Sequence, residues 1–217
     1  MIKSFFNTLS YLFHPILLPV LGLYFLFEIP TNSPGFIVTS LFSLPLELKL
    51  NLYKLFGFLT ILAPGISFWI MYQNKIISSL KLENRLERFT PIGITATYYI
   101  MNYVLLRIMI PEHIISSFIF AYAFGLALTV VVAYILNYVT KISLHMLGYF
   151  GLVGAIMGYF QNQLNYNLSF LLFLIIVGGL VGSARLYLKA HTLKEVILGI
   201  MIGFGIGFIC MKFELYI

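Results

Sequence analysis

The sequence predicts an all-α fold, a polytopic transmembrane helical bundle of six to seven spans. Three observations lead there. Among 217 residues, 61% are hydrophobic and only 9% are charged, whereas soluble domains carry about 25% charged residues. Mean hydropathy is +1.00. The apolar residues fall in continuous runs close to the roughly 20 residues that a bilayer core demands, without the strict alternation of a barrel strand. Backbone surrounded by lipid must satisfy its own hydrogen bonds, so these runs read as helices. Residues 1–217 are expected to form a single integral membrane domain with no soluble module.

The elements follow in order. Residues 9–29 make the first span, kinked by Pro15 and Pro19. Lys3 precedes it, and no Ala-x-Ala-like cleavage site follows, so the segment is expected to be retained. Residues 30–48 contain Pro30, Pro34, Gly35 and Pro45 and form the longest loop. The second span, 50–73, holds Pro64-Gly65 and should kink there. A polar stretch, 74–91, leads into the third span at 92–110. Pro111-Glu112-His113 is a tight turn into the fourth span, 115–139. Lys141–His145 separates it from a short fifth span at 146–161. A polar turn, Asn162–Asn167, precedes the sixth span at 168–184. The last span is 196–212, where Gly199, Gly203, Gly205 and Gly207 invite close helix packing.

This count of crossings brings three polar segments, 74–91, 141–145 and 185–195, to the membrane face where the N-terminus lies. The turns on the other face are short. The net charge is +6, but the cations sit in short loops between apolar runs. That pattern suits topology and anionic head groups, and excludes nucleic acid as a partner. All seven acidic residues are Glu, and Cys210 is the lone cysteine. No phosphate-binding glycine loop, zinc cluster, dinucleotide fingerprint or haem-ligand pattern is present, so no cofactor or metal is expected.

The chemistry concentrates in the three segments. Residues 184–199 set Arg185, His191 and Glu195 at spacings of six and four. On a helix His191 and Glu195 share a face, and a carboxylate beside an imidazole selects its tautomer, as a nucleophile or general base requires. Arg185 adds a planar donor suited to phosphate. The plainer reading is a basic membrane-edge loop with a helix-stabilising pair. Lys81 and Arg88 are seven apart, two helical turns, and together suit a dianion; alone they also fit a solvated helix of mixed charge. Ser143 and His145 open a span, where a capping hydroxyl and free N–H groups favour an anion. Taken alone, a capping Ser with an interfacial His is the simpler explanation. His14-Pro15 lies near the same face and reads most simply as a kinked helix with an interfacial imidazole.

Taken together, Lys81-x6-Arg88, Ile142-Ser143-Leu144-His145 and Ala184-Arg185-x5-His191-x3-Glu195 resemble the type 2 phosphatidic acid phosphatase superfamily of membrane lipid phosphatases. Its pattern is K-x6-R-P, then P-S-G-H, then S-R-x5-H-x3-D. The resemblance covers about 81–199, the motif-bearing region. It departs from the pattern at Phe89, at Leu144 where the family has Gly, at Ala184, and at Glu195 where it has Asp. The resemblance implies that His191 is the nucleophile, Glu195 its orienting carboxylate and His145 the general acid. It implies phosphate binding by Lys81, Arg88, Ser143 and Arg185.

The expected function is therefore metal-independent hydrolysis of a lipid phosphate or diphosphate monoester through a phosphohistidine. The partners are the lipid bilayer and the membrane lipid phosphate substrate, and the setting is a bacterial inner membrane. The alternative is a catalytically degenerate membrane protein that binds lipid head groups or transports a small anion. Orientation has two readings. The excess of Lys and Arg makes the site face cytoplasmic, whereas the resemblance implies the opposite side.

Overall fold

The computed structural model describes residues 2–34, 40–80, 82, 84–111 and 114–216. These fold into helices α1 (Ile2–Leu12), α2 (Leu18–Glu28), α3 (Leu46–Phe56), α4 (Ala63–Gln73), α5 (Phe89–Met109), α6 (Ser117–Leu136), α7 (Leu144–Phe160), α8 (Leu168–Tyr187) and α9 (Leu193–Lys212). Among the described residues the only β-type pairing is one bridge, Asn32 with Asn165. The all-α expectation therefore holds.

Among the described residues, five helical stretches are long and apolar enough to cross a membrane: Leu46–Gln73, Leu86–Met109, Ser117–Leu136, Leu168–Tyr187 and Leu193–Lys212. The two other expected spans correspond to shorter apolar helices, Leu18–Glu28 and Leu144–Phe160. At about 1.5 Å per residue, α2 is about 16 Å long and α7 about 25 Å, against a hydrocarbon core of about 30 Å. The first expected span is broken rather than kinked. Proline at position 15 has no N–H to extend α1 and disfavours helix at the residue before it, so Phe13–Leu17 form a bend between α1 and α2. Pro64 acts differently. The helix continues through it from Leu46 to Gln73, and the turn before it, Gly57–Leu62, widens. There the Ala63 N–H reaches back to the Phe58 carbonyl.

α6 is the most enclosed spanning helix, with half of its most apolar window buried. The core around it holds fully buried Phe27, Phe56, Phe118, Phe120, Tyr149 and Tyr159. Three of the buried tyrosine hydroxyls have partners that tie elements together. Tyr122 donates to the Pro19 carbonyl (2.8 Å) and Tyr149 to the Leu174 carbonyl (2.9 Å). Tyr159 accepts from the Leu41 N–H (2.8 Å), tying the loop after α2 to the far end of α7. The outer surface stays apolar, with Trp69, Ile108 and Met201 all exposed, as lipid contact demands. Lys49 is buried; it donates to the Phe27 carbonyl (2.8 Å) and lies 3.7 Å from Glu28.

The closest helix pair is α7 with α9. A Cβ on Gly199 would come within 2.9 Å of the Ser143 carbonyl oxygen. One on Gly203 would meet the Leu147 carbonyl, and one on Gly207 the Gly151 carbonyl. From the other side, Gly154 and Gly158 face the backbone at Phe204 and Phe208. Gly205 has open space instead, so three of the four expected glycines make the contact. Gly203→Val should force the helices apart, at a cost of about 1–3 kcal/mol or more. A lowered melting temperature of the detergent-solubilised variant checks this, with Gly205→Val as the near-neutral control.

Candidate functional site

The α7–α9 contact decides where the polar segments meet. The Ser143 N–H, at the start of α7, donates to the Glu195 carbonyl in the first turn of α9 (3.3 Å). The loop before α7 is thereby held against the loop before α9. Thr192 caps α9: its Oγ1 accepts from the Glu195 N–H (3.4 Å), and the Glu195 carboxylate accepts from the Thr192 N–H (2.9 Å). This is a capping box, legible in Thr192-Leu-Lys-Glu195.

His191 sits just before that cap and is 7% exposed. Its Nδ1 lies 3.1 Å from the Lys141 carbonyl and 3.2 Å from Glu195 Oε2. A carbonyl only accepts, so Nδ1 carries the proton and Nε2 carries the lone pair. The Lys141 carbonyl is a tautomer-setting partner that no motif encodes. Burial first, then the charges of Arg88 and Arg185, push His191 down to about 4, against the opposing pull of Glu195. The imidazole is therefore neutral near pH 7.

Arg88 is also buried. Its Nε donates to the Leu82 carbonyl (2.8 Å) and its Nη1 to the Ile142 carbonyl (3.2 Å). The 82–88 and 139–142 segments are further joined by Arg85 to the Val139 carbonyl (2.9 Å) and by Asn137 to the Arg85 carbonyl (3.1 Å). Arg185 lies in the last turn of α8, and its buried Nε has no hydrogen bond to a described residue. His145, in the first turn of α7, places Nε2 3.2 Å from the Ser10 carbonyl of α1. That bond puts a proton on Nε2 and leaves Nδ1 with the lone pair.

Arg88, His145, Arg185 and His191 line one cavity of about 170 Å³, together with His14. From this polar end the cavity runs along α5, α6 and α7 past Tyr99, Leu126, Leu147 and Gly151 to Cys210. Leu144, at the position where the family pattern has Gly, is on its wall. Glu195 stands behind His191, outside the wall. Ser143 does not behave as expected. It occupies the N-cap position of α7, but its side chain makes no capping bond. Its Oγ is buried, has no hydrogen-bond partner and lies off the cavity wall. Lys81 lies outside the described residues.

Residues 138–217 match the family model described as PAP2 superfamily. The match supports membership of the type 2 phosphatidic acid phosphatase superfamily. It spans the α7 and α9 motifs and stops short of the segment holding Arg88. No curated protein and no solved structure gives a significant match to the chain.

The depressed His191 value has a consequence for stability. Unfolded histidine binds its proton near pH 6.5, the folded group only near 4, so the unfolded state takes up the proton first. The contribution of His191 is complete above about pH 6.5 and is lost as pH falls toward 4. The melting temperature in detergent should drop over that window, and the drop should be smaller in His191→Asn. Equal pH profiles for the two proteins would refute the burial argument.

Proposed function

We propose that this protein is a membrane lipid phosphatase that hydrolyses a lipid phosphate or diphosphate monoester through a phosphohistidine at His191. The observation that carries this reading is the convergence of His191, His145, Arg88 and Arg185 on one cavity, with His191 Nε2 left as the free nitrogen.

Phosphoryl transfer depends mainly on positioning and on neutralising the equatorial oxygens. Arg88 and Arg185 supply the positive charge. His191 Nε2 attacks phosphorus; the P–N bond forms as the P–O bond to the lipid breaks. The leaving oxygen takes a proton from His145 Nδ1, whose imidazolium form is favoured by the charge of the arriving phosphate. Water then attacks the phosphohistidine and gives its proton to His145, which releases inorganic phosphate and restores both histidines. The Lys141 carbonyl and Glu195 hold His191 and stabilise the positive charge that develops on it. The apolar length of the cavity accepts the hydrocarbon part of the substrate.

Purified protein in detergent should release phosphate from at least one member of a panel of phosphatidate, phosphatidylglycerophosphate, polyprenyl phosphate and polyprenyl diphosphate. His191→Ala should lower release by on the order of 10⁴-fold or more, and vanadate should inhibit the native protein. A folded native protein that releases nothing from the panel, indistinguishable from His191→Ala, would replace this reading with head-group binding without catalysis.

Glu195→Gln separates two duties of one side chain. Glutamine still serves at this position of a capping box, so the melting temperature should shift little. The charge behind His191 is lost, while the Lys141 carbonyl still selects the tautomer. Turnover should fall by about 10–100-fold, well short of the roughly 10⁴-fold lost in serine-protease triads when the carboxylate is replaced by its amide. Steady-state phosphate release together with a thermal melt reads both effects.

A further inference from the structure

The bend between α1 and α2 carries an imidazole that neither the matched segment nor the three motifs include. His14 lies in that bend, on the polar end of the cavity. Its Nδ1 accepts the Ile16 N–H at 3.4 Å, which assigns the ring proton to Nε2. Its ring meets that of His145 edge-on, with centroids 5.6 Å apart. Four residues earlier, the Ser10 carbonyl holds His145 by Nε2. One short N-terminal stretch therefore orients His145 and adds a second imidazole beside it. His191, held by Lys141 and Glu195, has no hydrogen bond or ring contact with this pair among the described residues.

We propose that His14 is a third histidine of the catalytic site, donating its Nε2–H to the leaving oxygen of the substrate while His145 delivers the proton. This rests on the phosphatase reading above. In-line transfer places the nucleophile and the leaving group on opposite sides of phosphorus, and His14 shares the side of His145. His14 acts as a neutral hydrogen-bond donor and keeps its proton throughout. The bond strengthens as negative charge gathers on the leaving oxygen, so it favours the transition state over the ground state. Oriented donors of this kind are worth about 10²–10³-fold in turnover.

The dependence on leaving group tests the assignment. An alkoxide leaving from decyl phosphate needs the donor; a nitrophenolate leaving from p-nitrophenyl phosphate needs it far less. Both substrates are assayed on the same detergent preparation of the full chain, so the ratio of the two rates is independent of the fraction folded. His14→Leu should lower the decyl-to-nitrophenyl ratio by 10-fold or more, and His14→Gln, which retains a donor, should recover part of it. An unchanged ratio in His14→Leu, with the native protein active on both substrates, overturns the role of His14 and leaves the phosphatase reading standing. A native protein inactive on both, as on the lipid panel, overturns the two together.

Discussion

Everything at the polar end of this bundle depends on how closely α7 and α9 approach. Glycines on each helix face backbone of the other, at distances that leave no room for a Cβ. Between apolar helices in lipid there is little hydrophobic drive to associate, and close backbone packing supplies the attraction instead. The approach has a chemical consequence because His191 lies in the loop leading into α9 and His145 in the first turn of α7. The Ser143 N–H reaches the Glu195 carbonyl, and the Lys141 carbonyl reaches His191 Nδ1 at 3.1 Å. A separation larger by one ångström would break both hydrogen bonds and release the imidazole to rotate.

The second constraint is buried positive charge. Arg88 and Arg185 are held close to His191 in a site that is mostly shielded from water. Backbone carbonyls at helix and loop ends, Leu82 and Ile142, take part of the guanidinium hydrogen bonding of Arg88. Arg185 Nε is left without a described acceptor. Buried positive charge of this kind is costly unless it is compensated, and local violations of good packing concentrate at functional sites. Burial first, and then these charges, keep His191 neutral.

The N-terminal stretch shows how one residue type acts differently in two contexts. Pro64 follows a long helix that absorbs it by widening one turn. Pro15 follows a short helix, and the chain breaks there. The break places His14 and the Ser10 carbonyl beside His145, on the wall of the cavity and at its margin. A straight first span would carry both past the site.

The sequence by itself determined the helical membrane class, because uninterrupted apolar runs have no other solution in lipid. It determined the helix-contacting glycines at 199, 203 and 207, because these follow from helix periodicity; His191 and Glu195 meet instead through the capping turn, since His191 precedes the helix. It also pointed to Arg88, His145, Arg185 and His191, because few ionisable residues interrupt this chain and each needs a reason. Only the tertiary structure decided which of these meet, and what holds them. The Lys141, Ile142, Leu82 and Ser10 carbonyls exist at every residue and leave no mark in side-chain identity. The backbone bond from Ser143 reaches Glu195, 52 residues on in sequence. The break at Pro15 and the accommodation of Pro64 differ only through the helices around them, so local sequence does not distinguish them.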